Sequence, residues 1–236
     1  MTTQEFSNSF DTLLNSYARK ASYGDSSSYQ DINLDEYEKS LFLTEAQEQL
    51  VLTYYNGKNS TLDSFEKTEE LRRYLSNLVH TAEVSPEENS EESLLTSNSQ
   101  IFSLPDDLWF ITYEAAKLGS SSDNCVNEKL IQVVPVTQDD LHRVLENPFK
   151  SFGFRRVLRL DITDNKVELI SKYSISKYIV RYISKVNPII LVDLPNGLSI
   201  DGRIKARTSD LHEALHKAIL ELAVRLALQS KGIQIQ

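Results

Sequence analysis

The chain has 236 residues, 40% of them apolar and 25% charged, and a formal net charge of −9. A chain of this length buries roughly 70% of its unfolded surface, so its core needs no disulfide or metal. The single cysteine, Cys125, excludes an intrachain disulfide scaffold. No apolar run approaches the ~20 residues of a membrane span, and Met1-Thr2-Thr3-Gln4-Glu5 lacks the basic and apolar regions of a signal peptide. The expectation is a soluble globular protein made in the cytosol.

The first 22 residues read as a helix, with Phe6, Phe10, Leu13, Leu14 and Tyr17 at spacings of three and four. Ser22-Tyr23-Gly24-Asp25 ends it. A second helix is predicted after Asn33 as cap, with Glu36 three residues on; its apolar stripe includes Leu34, Leu41, Leu43, Ala46 and Leu50, and Asn56-Gly57 stops it. A third starts at Asp63 with Glu66 at its third position and carries Leu71, Leu75, Leu78 and Val79 on its apolar face. Residues 82–99, with five glutamates and Pro86, have no period and read as an exposed loop.

The period then changes from 3.6 to 2. Leu108–Tyr113, Leu130–Val136, Phe154–Ile162, Lys166–Tyr173, Lys177–Ile183 and Ile189–Leu194 are predicted strands, with a short helix from Gln138 to Glu146 capped by Thr137. Thr163-Asp164-Asn165 joins two of the strands as a hairpin turn. A last helix runs from a cap at Ser209 to about Gln229, with a stripe of Leu211, Leu215, Ile219, Leu222 and Leu226, and Ile233–Gln236 alternates like a strand. The long final helix needs a partner for its stripe, which the N-terminal helices supply. The expected class is therefore α+β: a helical bundle of three N-terminal helices and one long C-terminal helix (1–82 with 205–236), an acidic linker (83–99), and an inserted antiparallel β-rich domain (100–204).

Charge follows this division. Residues 1–100 hold 7 basic and 18 acidic side chains, and residues 101–236 hold 18 and 16. Within 150–185, nine basic residues face three acidic ones, so the two halves suit different environments.

His212-Glu213-Ala214-Leu215-His216 matches H-E-x-x-H on a predicted helix, where two imidazoles four apart hold zinc and the glutamate acts as base. The residues after His216 do not continue a metzincin pattern, and only 20 follow, so two ordinary surface histidines are the favoured reading. His80 and His142 are solitary, Cys125 lies in a loop, and Asp106-Asp107 and Asp139-Asp140 are sequence neighbours that do not converge on a site. No phosphate-binding loop occurs. Arg155, Arg156, Arg159, Lys172, Lys177, Arg181 and Lys185 interleave with Phe152, Phe154, Tyr173, Tyr178 and Tyr182. Such strands bind nucleic acid in some proteins, but the same pattern describes a sheet with one wet face. An isoelectric point near 5.0 argues against strong DNA affinity.

Leu34-Asp35-Glu36-Tyr37-Glu38-Lys39-Ser40-Leu41-Phe42-Leu43-Thr44-Glu45-Ala46-Gln47 resembles an N-terminal signature of virion structural proteins from crAss-like and related Bacteroidetes-infecting tailed phages. Ser64-Phe65-Glu66-Lys67-Thr68-Glu69-Glu70-Leu71-Arg72-Arg73-Tyr74-Leu75 is similar to the family's next block. Asn187-Pro188-Ile189-Ile190-Leu191-Val192-Asp193-Leu194, Leu211-His212-Glu213 and Ala223-Val224-Arg225-Leu226-Ala227 complete the likeness over residues 34–227.

The resemblance implies a non-enzymatic head–tail connector with no cofactor: a homo-oligomeric ring of about twelve copies under the capsid portal. Its helical part would dock on the portal, its inserted domain would meet other ring or tail proteins, and phage DNA would pass through without a membrane being involved. It also places Leu211-His212-Glu213 at the start of the family's last helix, so that His216 completes the zinc pattern by chance. Ile233, Gln234, Ile235 and Gln236 are the candidate partner contacts, adding as a strand to a neighbour. Two alternatives stay open at this point: a zinc metalloprotease using His212, Glu213 and His216, and a nucleic-acid-binding protein using the 150–185 strands.

Overall fold

The computed structural model describes residues 1–21, 32–57, 68–87, 99–119, 129–163, 165–195 and 197–233, side chains of 19–21 excepted. The fold is mixed α+β. Its helices are α1 (Thr3–Ala21), α2 (Glu36–Tyr55), α3 (Glu69–Tyr74), α4 (Leu141–Glu146) and α5 (His216–Ser230). Its strands are β1 (Val79–Val84), β2 (Ser99–Ser103), β3 (Leu108–Leu118), β4 (Leu130–Pro135), β5 (Arg156–Thr163), β6 (Lys166–Ile170) and β7 (Ile175–Ser184). Packing divides the chain into two compact units, Met1–Leu78 with Val186–Gln236, and Val79–Lys185. Residues 186–204 therefore lie with the helices.

In the helical unit, α5 packs on both α1 and α2. Phe6, Phe10 and Leu14 of α1, Leu43, Ala46 and Val51 of α2, and Ile219, Ala223, Val224, Ala227 and Leu228 of α5 are fully buried. Burying a leucine- or phenylalanine-sized side chain contributes about 1.5–3 kcal/mol, so this seam is the main source of the unit's stability. Lys39 reinforces it: its ammonium is buried, 2.8 Å from Asp11 on α1 and 2.9 Å from Glu36.

Several sequence expectations change here. The capping box of α2 uses Asp35 and Glu38 rather than Asn33 and Glu36. Asp35 accepts from the Glu38 N–H at 2.7 Å, and the Glu38 side chain accepts from the Asp35 N–H. The stop at Asn56-Gly57 is as read, with Gly57 at φ +69. The expected cap at Asp63 and Glu66 lies outside the described residues. Beyond it α3 has six residues and is followed by a 3-10 turn, Ser76–Leu78. The last helix begins at His216 rather than Ser209, preceded by a 3-10 turn over Glu213–Leu215. Ile189–Leu194 forms no strand and bends at Leu191 and Val192; a single bridge joins Ile190 to Arg207.

The sheet unit is one seven-stranded sheet in the order β1-β7-β3-β4-β5-β6-β2. All pairs are antiparallel except β4 and β5, which run parallel because α4 carries the chain across between them. Two strands go beyond the sequence expectation: β1 falls where the third helix is expected to end, and β2 ends the acidic stretch. Thr163 to Lys166 closes the expected hairpin of β5 and β6.

The sheet curls. Phe102 on edge strand β2 and Tyr178 on β7 are five strand spacings apart in the order, roughly 24 Å in a flat sheet. Their ring centroids lie 5.7 Å apart, edge to face. The enclosed core holds Phe102, Ala116, Ile131, Val133, Val157, Leu169, Tyr178 and Val180, with Ala82 and Val84 of the other edge strand packed against it. Register shifts along β3 supply the local twist that curling needs. On the outer face α4 covers Leu158, Leu160 and Ile170 with Leu141, Val144 and Leu145.

Candidate assembly surfaces

The histidines of the zinc pattern do not form a helical pair. His212 is extended (φ −58, ψ 141) and caps the 3-10 turn, its Nδ1 accepting from the Ala214 N–H at 3.2 Å. Its ring lies 5.9 Å from that of Tyr74. His216 is buried in the first turn of α5, its ring 5.2 Å from Phe6. Burial, then the positive amino group of Met1 at 3.1 Å from Nδ1, hold the imidazole below its usual pKa. One histidine is thus a cap and the other a core residue; the i, i+4 face that zinc chemistry requires is absent. Among the described residues no three His, Cys, Asp or Glu side chains converge to hold a metal.

Several side chains of the basic strands are engaged within the sheet unit. Arg159 is nearly buried, 3.0 Å from Glu114 and 3.1 Å from Asp161. Tyr178 is fully buried and donates its hydroxyl to Glu114 at 2.6 Å. Burial raises the pKa of both Glu114 and Tyr178, and the Arg159 charge opposes the rise. Tyr182, donating to Asp107 at 3.0 Å, is pushed up to about 12 by burial and by that carboxylate. Lys177 pairs with Glu83. The interleaving of Arg159, Tyr178 and Tyr182 thus records a sheet whose inward tyrosines carry their hydroxyls to carboxylates of the same unit. Asp106 accepts from Asn165 and Asp140 from Arg143, so the acidic pairs are turn residues. His80 and His142 are both exposed, and Cys125 lies outside the described residues.

Of the four tail residues, Ile233 is described: its N–H bonds Leu228 O at 3.0 Å, closing the end of α5 around Gly232 (φ +77). Gln234, Ile235 and Gln236 lie outside the described residues.

The sequence blocks that carry the likeness to virion proteins meet in the helical unit. Ser40, Thr44 and Gln47 recur at i, i+4 and i+7 on α2 and are all buried. They form a ladder to the segment 187–191. Ser40 Oγ accepts from the Leu191 N–H at 3.0 Å, Thr44 Oγ1 accepts from the Ile189 N–H at 3.1 Å, and Gln47 donates to Asn187 O at 2.8 Å. Ser209 donates to Gln47 at 2.5 Å, and Asn187 donates to Asp210 at 2.5 Å. The segment thus gains from side chains the bonds a neighbouring strand would give.

Because α2 buries its polar ladder, part of its apolar stripe turns outward. Leu41 is 40% exposed. With Glu38, Phe42, Glu45 and Glu48 it lines a groove of about 540 Å³, bounded by Ile200, Asp201 and Lys231. Ile200 sits at the tip of a hairpin-like arm, 190–207, whose Asp201 (φ 48) and Gly202 (φ 73) form a two-residue type I′ turn.

A second surface lies in the sheet unit, where residues 147–156 make two consecutive turns between α4 and β5. Asn147 accepts from the N–H groups of Phe149, Lys150 and Ser151, and Phe149 O accepts from Arg156 at 3.0 Å. The Gly153–Arg156 bridge forms the second turn, with Phe154 and Arg155 at its centre. Phe149 is 89% exposed and Phe154 59%, the latter under the Lys172 ammonium at 4.4 Å. The sequence pattern merges Phe154 with the basic strands and gives Phe149 no role; the Asn-Pro-Phe start is the signal that marks an ordered turn.

The polar clusters thus bind backbone or brace the core, and Phe149 and Phe154 face outward on fixed turns. Comparison with known families assigns the chain. The chain belongs to the family described as phage tail ring protein 3/4, which matches residues 1–236. It is 50% identical to "Ring protein 3" of Bacteroides phage crAss001, over 98% of this chain and 96% of that protein. It is 29% identical to "Ring protein 4/5" of the same phage, over 96% of this chain and 92% of that protein. The likeness to crAss-like phage virion proteins read from residues 34–227 is thereby confirmed, and neither the zinc protease nor the nucleic-acid reading gains support.

Proposed function

We propose that this chain forms a closed ring in the neck or tail of a virion, connects the capsid portal to the tail, and lines part of the channel through which DNA leaves. The observation that carries the reading is membership of the ring family over the whole chain. The 50% identity to Ring protein 3, against 29% to Ring protein 4/5, favours the position of the former in the stack.

In this reading the role is structural rather than enzymatic, and the copy number is twelve. The helical unit, with α1, α2 and α3 bundled on α5, docks on the portal, with Ile233–Gln236 adding as a strand. The sheet unit meets other ring and tail proteins. The acidic first hundred residues, at 18 acidic to 7 basic, repel DNA and so keep it from sticking as it passes.

Electron microscopy of the protein mixed with the portal and neighbouring neck proteins tests the reading. Twelve-fold rings coaxial with the portal are expected; a portal that recruits no ring from this mixture contradicts it. Removing residues 230–236 should weaken docking, and unchanged co-assembly would sink the tail contact.

A further inference from the structure

A closed ring of identical copies needs two different patches on each copy, one to receive and one to insert. We propose that these are the two surfaces described above: the 147–156 knuckle of one copy inserts into the α2 groove of a second copy. The inference rests on the ring reading.

Three observations carry it. First, the knuckle is built rather than loose: four hydrogen bonds from Asn147 and Arg156 fix the backbone that holds an 89% exposed phenylalanine. Displaying an aromatic of that size to water gains nothing for the fold, and a fixed aromatic anchor is what protein interfaces place at their centre. Second, the groove is shaped for it: exposed Leu41 and half-buried Phe42 make an apolar floor within about 540 Å³. Third, the charges complement each other. Lys150 and Arg155 flank the exposed phenylalanines, both exposed and with no carboxylate at ion-pairing distance among the described residues. Glu38 and Glu45 flank the groove two turns apart on α2. Two surfaces of like composition would repel; these attract, and their asymmetry propagates head to tail until the ring closes. Repetition around the ring lets each contact be individually weak.

The test uses the full chain with Cys125→Ser, assembled with its portal and neck neighbours. Lys150→Cys together with Glu45→Cys should give, on oxidation, a covalent ladder of many copies, whereas each single substitution should give none. Glu45→Lys alone and Lys150→Glu alone should each cut ring yield at least tenfold, and the two together should restore it to within twofold. Phe149→Ser should cut yield similarly while leaving the unfolding midpoint unchanged, since its ring is solvated in the folded chain. Rings visible by microscopy with no ladder and no effect of charge reversal would overturn the inference and leave the ring reading intact. The inference also falls if Phe149→Ser detaches a neighbouring protein while rings persist, because the knuckle would then serve that partner. Absence of rings from the unsubstituted chain would overturn both.

Discussion

Gln47 shows how a polar residue can be worth more buried than exposed. Its amide donates to Asn187 O and accepts from Ser209, linking three distant stretches of chain. Gln47→Leu keeps the volume but strands both partners, which costs about 2–3 kcal/mol. A urea midpoint unchanged within error would show the ladder to be ornamental. Arg159 and Glu114 make the same point with charge. Arg159→Leu leaves Glu114 buried without its cation and should cost about 3–5 kcal/mol. Adding Glu114→Leu should recover much of that loss, and a strictly additive double variant would refute the coupling. His216 gives the sign of the pH response. Its pKa is lowered in the folded chain, first by burial, so its contribution is full above the ordinary histidine value and is lost as pH falls toward the folded value. Thermal stability should therefore drop between pH 7 and pH 5, and drop less in His216→Gln; parallel curves for the two proteins would contradict this assignment.

At the scale of elements, the sequence reveals what is local and conceals what is paired at a distance. α1 and the body of α2 are legible because their apolar residues recur at helical spacing and Gly57 supplies the left-handed stop. The outer face of α2 misleads, because Leu41 completes an apparent stripe yet is 40% exposed, while Ser40, Thr44 and Gln47 turn inward beside Leu43 and Ala46. β1 is invisible in the same way: Val79–Val84 continues a helical run of leucines, and only its antiparallel pairing with β7 makes it a strand. The zinc pattern misleads for a related reason, since H-E-x-x-H presumes a helix that in fact starts at His216 and not before. The turn at Asp201-Gly202 also escapes the sequence reading, although its residue types suit it: both sit at positive φ, and a Cβ on Gly202 would meet nothing within 4 Å. Gly202→Ala should thus cost about 1 kcal/mol through backbone strain alone. Gly202→Asn should be nearly neutral; equal losses for both would point to a contact instead.

For the whole molecule, the division of charge read from sequence does not follow the fold: the helical unit holds 18 acidic and 13 basic side chains, the sheet unit 16 and 12, because the glutamates of residues 83–92 belong to the sheet unit. The sheet unit is contiguous, from Val79 to Lys185, and encloses its own core. Residues 79–185 expressed alone should fold cooperatively with a β-rich circular dichroism spectrum, whereas the helical unit, built from two separated stretches, should need the sheet unit to join them. A disordered 79–185 fragment would show that the curled sheet depends on the helices. In the proposed reading these parts serve one purpose, a repeated contact around an axis. Cryo-electron microscopy of the assembled neck tests that purpose most directly. The account predicts a closed ring of twelve copies on the portal axis, with the helical unit toward the channel. Density showing the chain as an isolated subunit off the axis would contradict it.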